Sequence, residues 1–315
     1  MTLPPHRLPL RLGTRRSPLA MAQAEETRDR LRAALDLSED AIELVQVIAS
    51  GDRIQDRPLA EIGGKALWTR ELDQALFERR IDAAVHSLKD VETFRPDELV
   101  IAAVLPRADV RDVLIGAATV AAIPQGARVG TSAPRRAALM LNARPDVEVV
   151  SLRGNVATRL AKLAASEVDV TLLAAAGLAR LGETGVGTPL STEDWLPAPA
   201  QGAIGIECRA DDEAMRAALA TIDHAPSRTA VMAERALLAA LGGSCHSPIA
   251  VLTSCEDGTV TLRAALLSPD GAARVDGTLE FSIDDADGPA RLAADLLTRG
   301  GPEIARWFHA HANDG

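Results

Sequence analysis

The segment Gly130-Thr131-Ser132-Ala133-Pro134-Arg135-Arg136 places a glycine, two hydroxyl residues, a proline suited to a first helical turn and two guanidinium groups in one run. Arginines at the positive end of a helix dipole are unfavourable by ~0.3 to 1 kcal/mol each unless an anion sits there. Backbone amides, capping hydroxyls from Thr131 and Ser132, and guanidinium forks together suit a carboxylate or phosphate. The plainer alternative is a solvent-facing pair in a chain whose 34 basic residues include only three lysines, Lys65, Lys89 and Lys162.

A second copy of the arrangement follows. An apolar run, 147–152, leads into Arg153-Gly154-Asn155 and a helical pattern with Arg159 in its first turn, and the next run ends near Ala176-Gly177-Leu178-Ala179-Arg180. With Arg15 in Gly13-Thr14-Arg15-Arg16-Ser17-Pro18, many cations lie after the carboxyl ends of predicted strands, the edge where open α/β sheets bind ligands. A ligand with several negative groups is expected. Val85-His86-Ser87-Leu88-Lys89-Asp90 also closes a strand. Asp90 beside Lys89 reads either as a solvated ion pair of little energetic weight or as a cleft anion able to stabilise a developing cation or move a proton. In Gly242-Gly243-Ser244-Cys245-His246-Ser247-Pro248 the glycines are ordinary helix-end residues, whereas a loop thiol such as Cys245 is open to nucleophilic or covalent-anchor use. Cys208, in an apolar run, reads as a buried small hydrophobe, and three cysteines without short paired spacing suggest neither a disulfide framework nor a zinc site. No metal is expected.

Alternating patterns position these residues. The sequence predicts a strand over 42–48, a helix over 66–79, a strand over 82–86, then strand 128–130, helix 134–141, strand 147–152, helix 156–166 and strand 168–174, an α/β alternation with largely parallel sheets. Pro106 and the pair Pro197 and Pro199 bracket a central block. They imply that the chain leaves a first lobe (1–105), builds a second (106–202) and returns (203–221) to add a strand to the first sheet. Paired crossovers of this kind create a cleft suited to a small molecule. Residues 222–315 read as a small α+β domain with a helix over 229–241, strand-like runs at 249–253, 260–267 and 279–283, and a helix over 289–298.

Composition narrows the function classes. A chain of 315 residues with 47% hydrophobic and 25% charged residues is a folded protein of two or three domains. Aromatics at 2% with no tyrosine disfavour base stacking, and a net charge of −10 disfavours general binding to nucleic acid. No apolar run approaches the ~18 residues of a membrane span and no export pattern opens the sequence, so a cytoplasmic protein is expected. The Walker, His-Glu-x-x-His and three-glycine dinucleotide patterns do not occur.

Taken in order, Thr14-Arg15-Arg16-Ser17-Pro18-Leu19-Ala20, Gly63-Gly64-Lys65, Ala84 through Asp90, Gly130-Thr131-Ser132, Arg135-Arg136, Leu152-Arg153-Gly154-Asn155 with Thr158-Arg159-Leu160, Ala176-Gly177-Leu178, Gln201-Gly202-Ala203 and the Cys245 loop resemble the porphobilinogen deaminase family. The resemblance spans residues 14 to 248. It implies two lobes like those of periplasmic binding proteins plus a third domain carrying the anchor cysteine. It further implies a dipyrromethane cofactor joined to Cys245 through a thioether, extended by four porphobilinogens with loss of ammonia and released by hydrolysis as a linear tetrapyrrole. By the same resemblance Asp90 is catalytic; Lys89, Thr131, Ser132, Arg135 and Arg136 bind cofactor; Arg15, Ser17, Arg153, Gly154, Asn155, Arg159, Arg180 and Gln201 bind substrate; and Gly63, Gly64, Lys65 and Trp68 form an active-site loop. A monomer acting on a small molecule is expected. The chain departs from the pattern at Glu61, Trp68, Ala133 and Pro199-Ala200, where Lys, Phe, Ser and Val-Gly are common. A reading of another class, a non-enzymatic two-lobed binding protein for a polycarboxylate or oxyanion, meets two objections: the missing export pattern and the Cys245 loop.

Overall fold

The computed structural model describes residues 8–48, 69–244 and 247–308. These residues form two compact units. One gathers the described residues up to Ala108 together with Gly202–Arg228, and the other takes Asp109–Gln201 and the residues from Thr229 onward.

The first unit is built on a five-stranded sheet of order β2-β1-β3-β10-β4. Strands β1 (Leu10–Arg15), β2 (Ile42–Val47) and β3 (Ala83–Ser87) run parallel, whereas β10 (Ile204–Arg209) is antiparallel to both β3 and β4 (Leu99–Val104). Every residue of β10 is buried, as a central strand covered on both faces requires. Helix α1 (Pro18–Leu35) starts where Ser17 accepts from the Ala20 amide and proline takes the first turn. It buries Gln23, Ala24, Thr27 and Leu31 toward a core of Leu10, Leu12, Val85, Ile204, Ile206 and Cys208. The opposite face is closed by α2 (Arg70–Phe77), whose Leu72, Ala75 and Leu76 meet Ile81, Ala84 and Leu99. A fully buried leucine contributes roughly 1.5 to 3 kcal/mol, so these two layers carry the unit.

The second unit contains a sheet of order β7-β6-β8-β5-β9. Strands β6 (Arg128–Gly130), β7 (Glu148–Val150) and β8 (Val170–Ala174) are parallel; β5 (Asp112–Ile115) runs antiparallel between β8 and the short β9 (Thr188–Pro189). Helices α3 (Pro134–Ala143), α4 (Val156–Ala164) and α5 (Ala175–Arg180) follow β6, β7 and β8 in turn. The two sheets thus repeat one plan, three parallel strands and an inserted antiparallel neighbour of the third. The largely parallel sheet expected from the alternation is corrected at β5 and β10, where strands enter from crossovers rather than from βαβ units.

The rest of this unit is an antiparallel sheet, β11 (Ile249–Glu256), β12 (Thr259–Leu267) and β13 (Arg274–Ser282), with α7 (Ala225–Ala240) and α8 (Gly288–Ala305). A short helix α6 (Glu213–Ala220) completes the first unit. Leu237, Leu241, Ile249, Leu262, Leu266 and Leu296 share one core, while Ala250, Ala265 and Leu267 join that of the second five-stranded sheet. The turn before β13 is seated on the end of α3. Gly271 has a φ of 71°, its carbonyl accepts from Asn142 Nδ2 at 2.8 Å, and a Cβ there would lie 2.4 Å from the Asn142 nitrogen. Helix α8 breaks at Gly301 (φ 59°) just ahead of Pro302.

Candidate active site

In the first unit the carboxyl ends of β1 and β3 open onto a pocket enclosing about 430 Å³ of space continuous with solvent. Arg15, Ser17 and Asp90, singled out from sequence, all line it. Three local devices set their positions. Thr14 is buried and its hydroxyl donates to the Ala20 carbonyl at 3.0 Å, tying the strand end to the start of α1. Ser87 donates to Gln23 Oε1 at 2.9 Å, locking β3 to the same helix. Asp90 closes a 3-10 turn, Leu88–Asp90, whose neighbours Leu88 and Val91 are both buried; the Leu88 amide donates to the Ala203 carbonyl and the Val91 amide to that of Leu88. Two apolar anchors on either side therefore hold the half-buried carboxylate at the pocket wall. Lys89 lies on the same turn, half-buried, and is not among the pocket-lining residues. Sequence reasoning assigned no role to His86, Gln23 or Thr69, which also line the pocket. The signal available for His86 was its place, four residues before Asp90 at the end of an apolar strand.

In the second unit Thr131, Arg153 and the start of α5 follow the carboxyl ends of β6, β7 and β8, so the sequence reading of a common sheet edge is met. The side chains at this edge have further partners inside the unit. Arg135 and Arg136 are buried, each about 4% exposed, and both grip Asp112 at the start of β5. Arg135 Nη2 lies 2.8 Å from Asp112 Oδ2 and Arg136 Nη2 2.7 Å from Oδ1. Their remaining donors reach the Leu196 and Leu172 carbonyls. Trp195 Nε1 and Gln201 Nε2 complete the shell of Asp112, both at 2.9 Å. Burial opposes the charge on Asp112, but the two guanidinium groups hold its carboxyl far below the usual range. Burial lowers Arg135, with Asp112 acting against it and Arg136 with it.

Neither the solvent-facing pair nor a directly exposed anion cradle describes these arginines; they form an internal charge cluster because Asp112, unremarked in the sequence, supplies the counter-ion. Gln201 joins the same cluster, its amide nitrogen donating to Asp112 and the Val110 carbonyl. The caps differ too. Ala133 occupies the N-cap of α3 without a side-chain bond, Thr131 accepts from the Ala133 amide, and Ser132 donates to the Leu152 carbonyl. Pro134 at the first helical position makes its predecessor the extended cap residue, leaving the hydroxyls outside the helix.

Arg153 and Arg159 are half-buried, Arg159 donating through Nε to the Gly154 carbonyl at 2.9 Å. Gly154 has a φ of 115° and a Cβ there would meet the Thr158 side chain at 2.6 Å, so glycine is required. Asn155 caps α4 by accepting from the Thr158 amide. The run 176–180, read as a strand end, is the helix α5 with Arg180 at its last position. Ala200, which stands where glycine is common, has a φ of 58°, and its amide donates to the buried Glu234 at 2.7 Å. Gly63, Gly64, Lys65, Trp68 and Cys245 lie outside the described residues.

The donors around β6 suit a polycarboxylate. Two guanidinium groups against one carboxylate leave the Asp112 cluster one positive charge in excess, and Arg135 Nε is buried without a partner. The half-buried Arg153 and Arg159 add to the cationic edge.

The repeated sheet plan, a strand-end pocket bearing a carboxylate and a small C-terminal domain define an α/β protein of two sheet-built lobes with an added α+β domain. Residues 10–217 match the family described as porphobilinogen deaminase, dipyromethane cofactor binding domain, and residues 228–298 match the porphobilinogen deaminase C-terminal domain. The chain belongs to the porphobilinogen deaminase family. A porphobilinogen deaminase of Sphingopyxis alaskensis is 57% identical over 306 residues, covering 95% of this chain and 96% of that protein. One of Paracoccus denitrificans is 47% identical over 311 residues, covering 97% and 99%. Among solved structures, the periplasmic aliphatic sulphonate binding protein of Escherichia coli is 17% identical with a TM-score of 0.37, covering 73% of this chain and 69% of that one. Among the described residues, no helix is long and apolar enough to cross a membrane.

Proposed function

We propose that this protein is a hydroxymethylbilane synthase, a transferase that deaminates four porphobilinogen molecules, joins them head to tail and releases the linear tetrapyrrole. The observation that carries the reading is Asp90, held by two buried neighbours in a pocket it shares with Arg15. Each porphobilinogen bears an acetate and a propionate, which the guanidinium of Arg15 suits as a charge-assisted donor. Loss of ammonia from the aminomethyl group leaves a delocalised cation, and the carboxylate of Asp90 opposes that charge where it develops. Arg153, Arg159 and Arg180, which lie on the helices and loops after β7 and β8, take the carboxylates of later rings. Arg135 and Arg136 act from inside the lobe, through the excess positive charge of the Asp112 cluster, and Thr131, Ser132 and Lys89 supply polar contacts. The covalent dipyrromethane, anchored on Cys245, supplies the pyrrole terminus to which the first substrate is joined. The enzyme works as a monomer in the cytoplasm, its third domain, 222–315, carrying the anchor.

Intact-mass measurement of the purified protein tests the assignment. The expected mass exceeds that of the polypeptide by two linked pyrrole units carried on the Cys245 peptide. An unmodified mass in protein that makes tetrapyrrole overturns it.

A further inference from the structure

The pocket that holds Asp90 has a second titratable wall. Ala84 pairs with Glu207 and His86 with Gly205 across β3 and β10, so His86 and Glu207 project from one face of the sheet, the face covered by α2. His86 is buried and lines the pocket; its Nε2 has no hydrogen-bond partner and lies 3.4 Å from Glu207 Oε2, ion-pair distance without hydrogen-bond alignment. Glu207 is fully buried and receives a two-pronged grip from Arg95, Nε to Oε1 at 2.9 Å and Nη2 to Oε2 at 2.7 Å. The same guanidinium serves Asp73 of α2, Glu92 and the Thr69 hydroxyl. Arg95 is thus shared among three carboxylates behind the imidazole. On its other side, Asp90 and Arg15 share the pocket with it.

We propose that His86 is a proton-handling group of this pocket, and that Glu207, clamped by Arg95, is the positioning residue that turns the ring and keeps the proton on Nε2. The proposal rests on the synthase reading. Joining two pyrroles forms a carbon–carbon bond at a ring carbon that still carries hydrogen. The C–H pair returns to the ring, the proton moves to the imidazole, and from the resulting imidazolium it passes to the departed ammonia, which leaves as ammonium. Glu207 faces the positive charge that His86 carries between those transfers. Asp90 then has the developing substrate cation to itself, and the two groups divide the work.

The test uses holoenzyme as parent, His86→Gln and Glu207→Gln, each checked for the added pyrrole pair by intact mass. His86→Gln is expected to carry the cofactor yet lose roughly a hundredfold in kcat, as removal of an acid–base group does. KM should stay within about twofold. Glu207→Gln is expected to carry the cofactor and to lower kcat with KM within about twofold of the parent, because the ring is no longer held in its working orientation. Should Glu207→Gln fail to fold, imidazole nitrogen NMR of the parent decides the positioning claim: a proton on Nε2 of His86 supports it and a proton on Nδ1 alone overturns it. A His86→Gln enzyme with kcat within about threefold of the parent overturns the proposal while leaving the synthase reading intact. Parent protein that makes no tetrapyrrole overturns both, and is recognised by that alone.

Discussion

Asp112→Asn preserves shape and removes one negative charge from the interior of the second unit. Five N–H donors from Arg135, Arg136, Trp195 and Gln201 converge on the two carboxylate oxygens. With asparagine, one oxygen becomes a donor facing donors, and two buried guanidinium groups face each other without a counter-ion. Breaking a buried ion pair by deleting one partner costs about 3 to 5 kcal/mol, because the survivor stays desolvated and uncompensated. For a unit of this size that is a fall in Tm of roughly 6 to 20 °C. Arg136→Met leaves Asp112 with Arg135, a balanced pair, so its cost is the lost hydrogen bonds, about 1 to 3 kcal/mol. The ranking separates charge balance from the mere loss of contacts. Calorimetric unfolding of the three proteins at neutral pH reads both numbers. If Asp112→Asn is within about 1 kcal/mol of the parent, or is less destabilised than Arg136→Met, the cluster is not held by its charge balance.

Acid stability should respond to Glu207. Burial alone would raise its pKa, but His86 and Arg95 lower it from 4.5 to about 2. A depressed carboxylate stabilises the fold fully above the unfolded value and loses that contribution as pH falls from about 4.5 toward 2. The contribution is on the order of 3 kcal/mol at neutral pH, so denaturant midpoints of the parent should drop steeply through that window, and those of Glu207→Gln should be lower at neutral pH and fall less steeply. Asp90→Asn should keep the parent's unfolding temperature while turnover of porphobilinogen falls at least about a hundredfold, roughly 3 kcal/mol in barrier; turnover within a few-fold places the catalytic carboxylate elsewhere. Gly154→Ala forces φ 115° on a side chain that meets Thr158, and a cost of about 1 to 3 kcal/mol should appear in the same calorimetric assay. Unchanged stability there contradicts the strain argument.

The parts of the fold that show in the sequence are those whose period is local. Strand β6 and helices α3 and α4 stand where the apolar spacing and Pro134 or Asn155 place them. The sequence reading put no strand at β4 or β5 and no helix at α1 or α6. Asp112 opens β5 with a charge that only its two arginine partners in space make tolerable. Helix α1 buries Gln23 and Thr27 among its inward residues, so its apolar stripe is faint. The pocket was legible as far as Arg15, Ser17 and Asp90, because each follows a strand end. The fate of Arg135 and Arg136 was not, since burial of a cation depends on a counter-ion more than twenty residues away. Glu207 and Arg95 escaped for the same reason, over 112 residues.

The inserted strand β10 fixes an order of events during synthesis. Strands β3 and β4 emerge early, yet the strand that must lie between them begins at Ile204. At ~5 to 20 residues per second the ribosome takes about 5 to 20 seconds to reach it from the end of β4. Until then two unpaired strand edges face the medium, the kind of surface that recruits other chains. The second five-stranded sheet has no such delay, since all its strands fall between Asp112 and Pro189. The sheet translated second is therefore the first whose strands can all pair. The first sheet must wait for the return of the chain, so its completion depends on long-range contacts of the kind that form slowly.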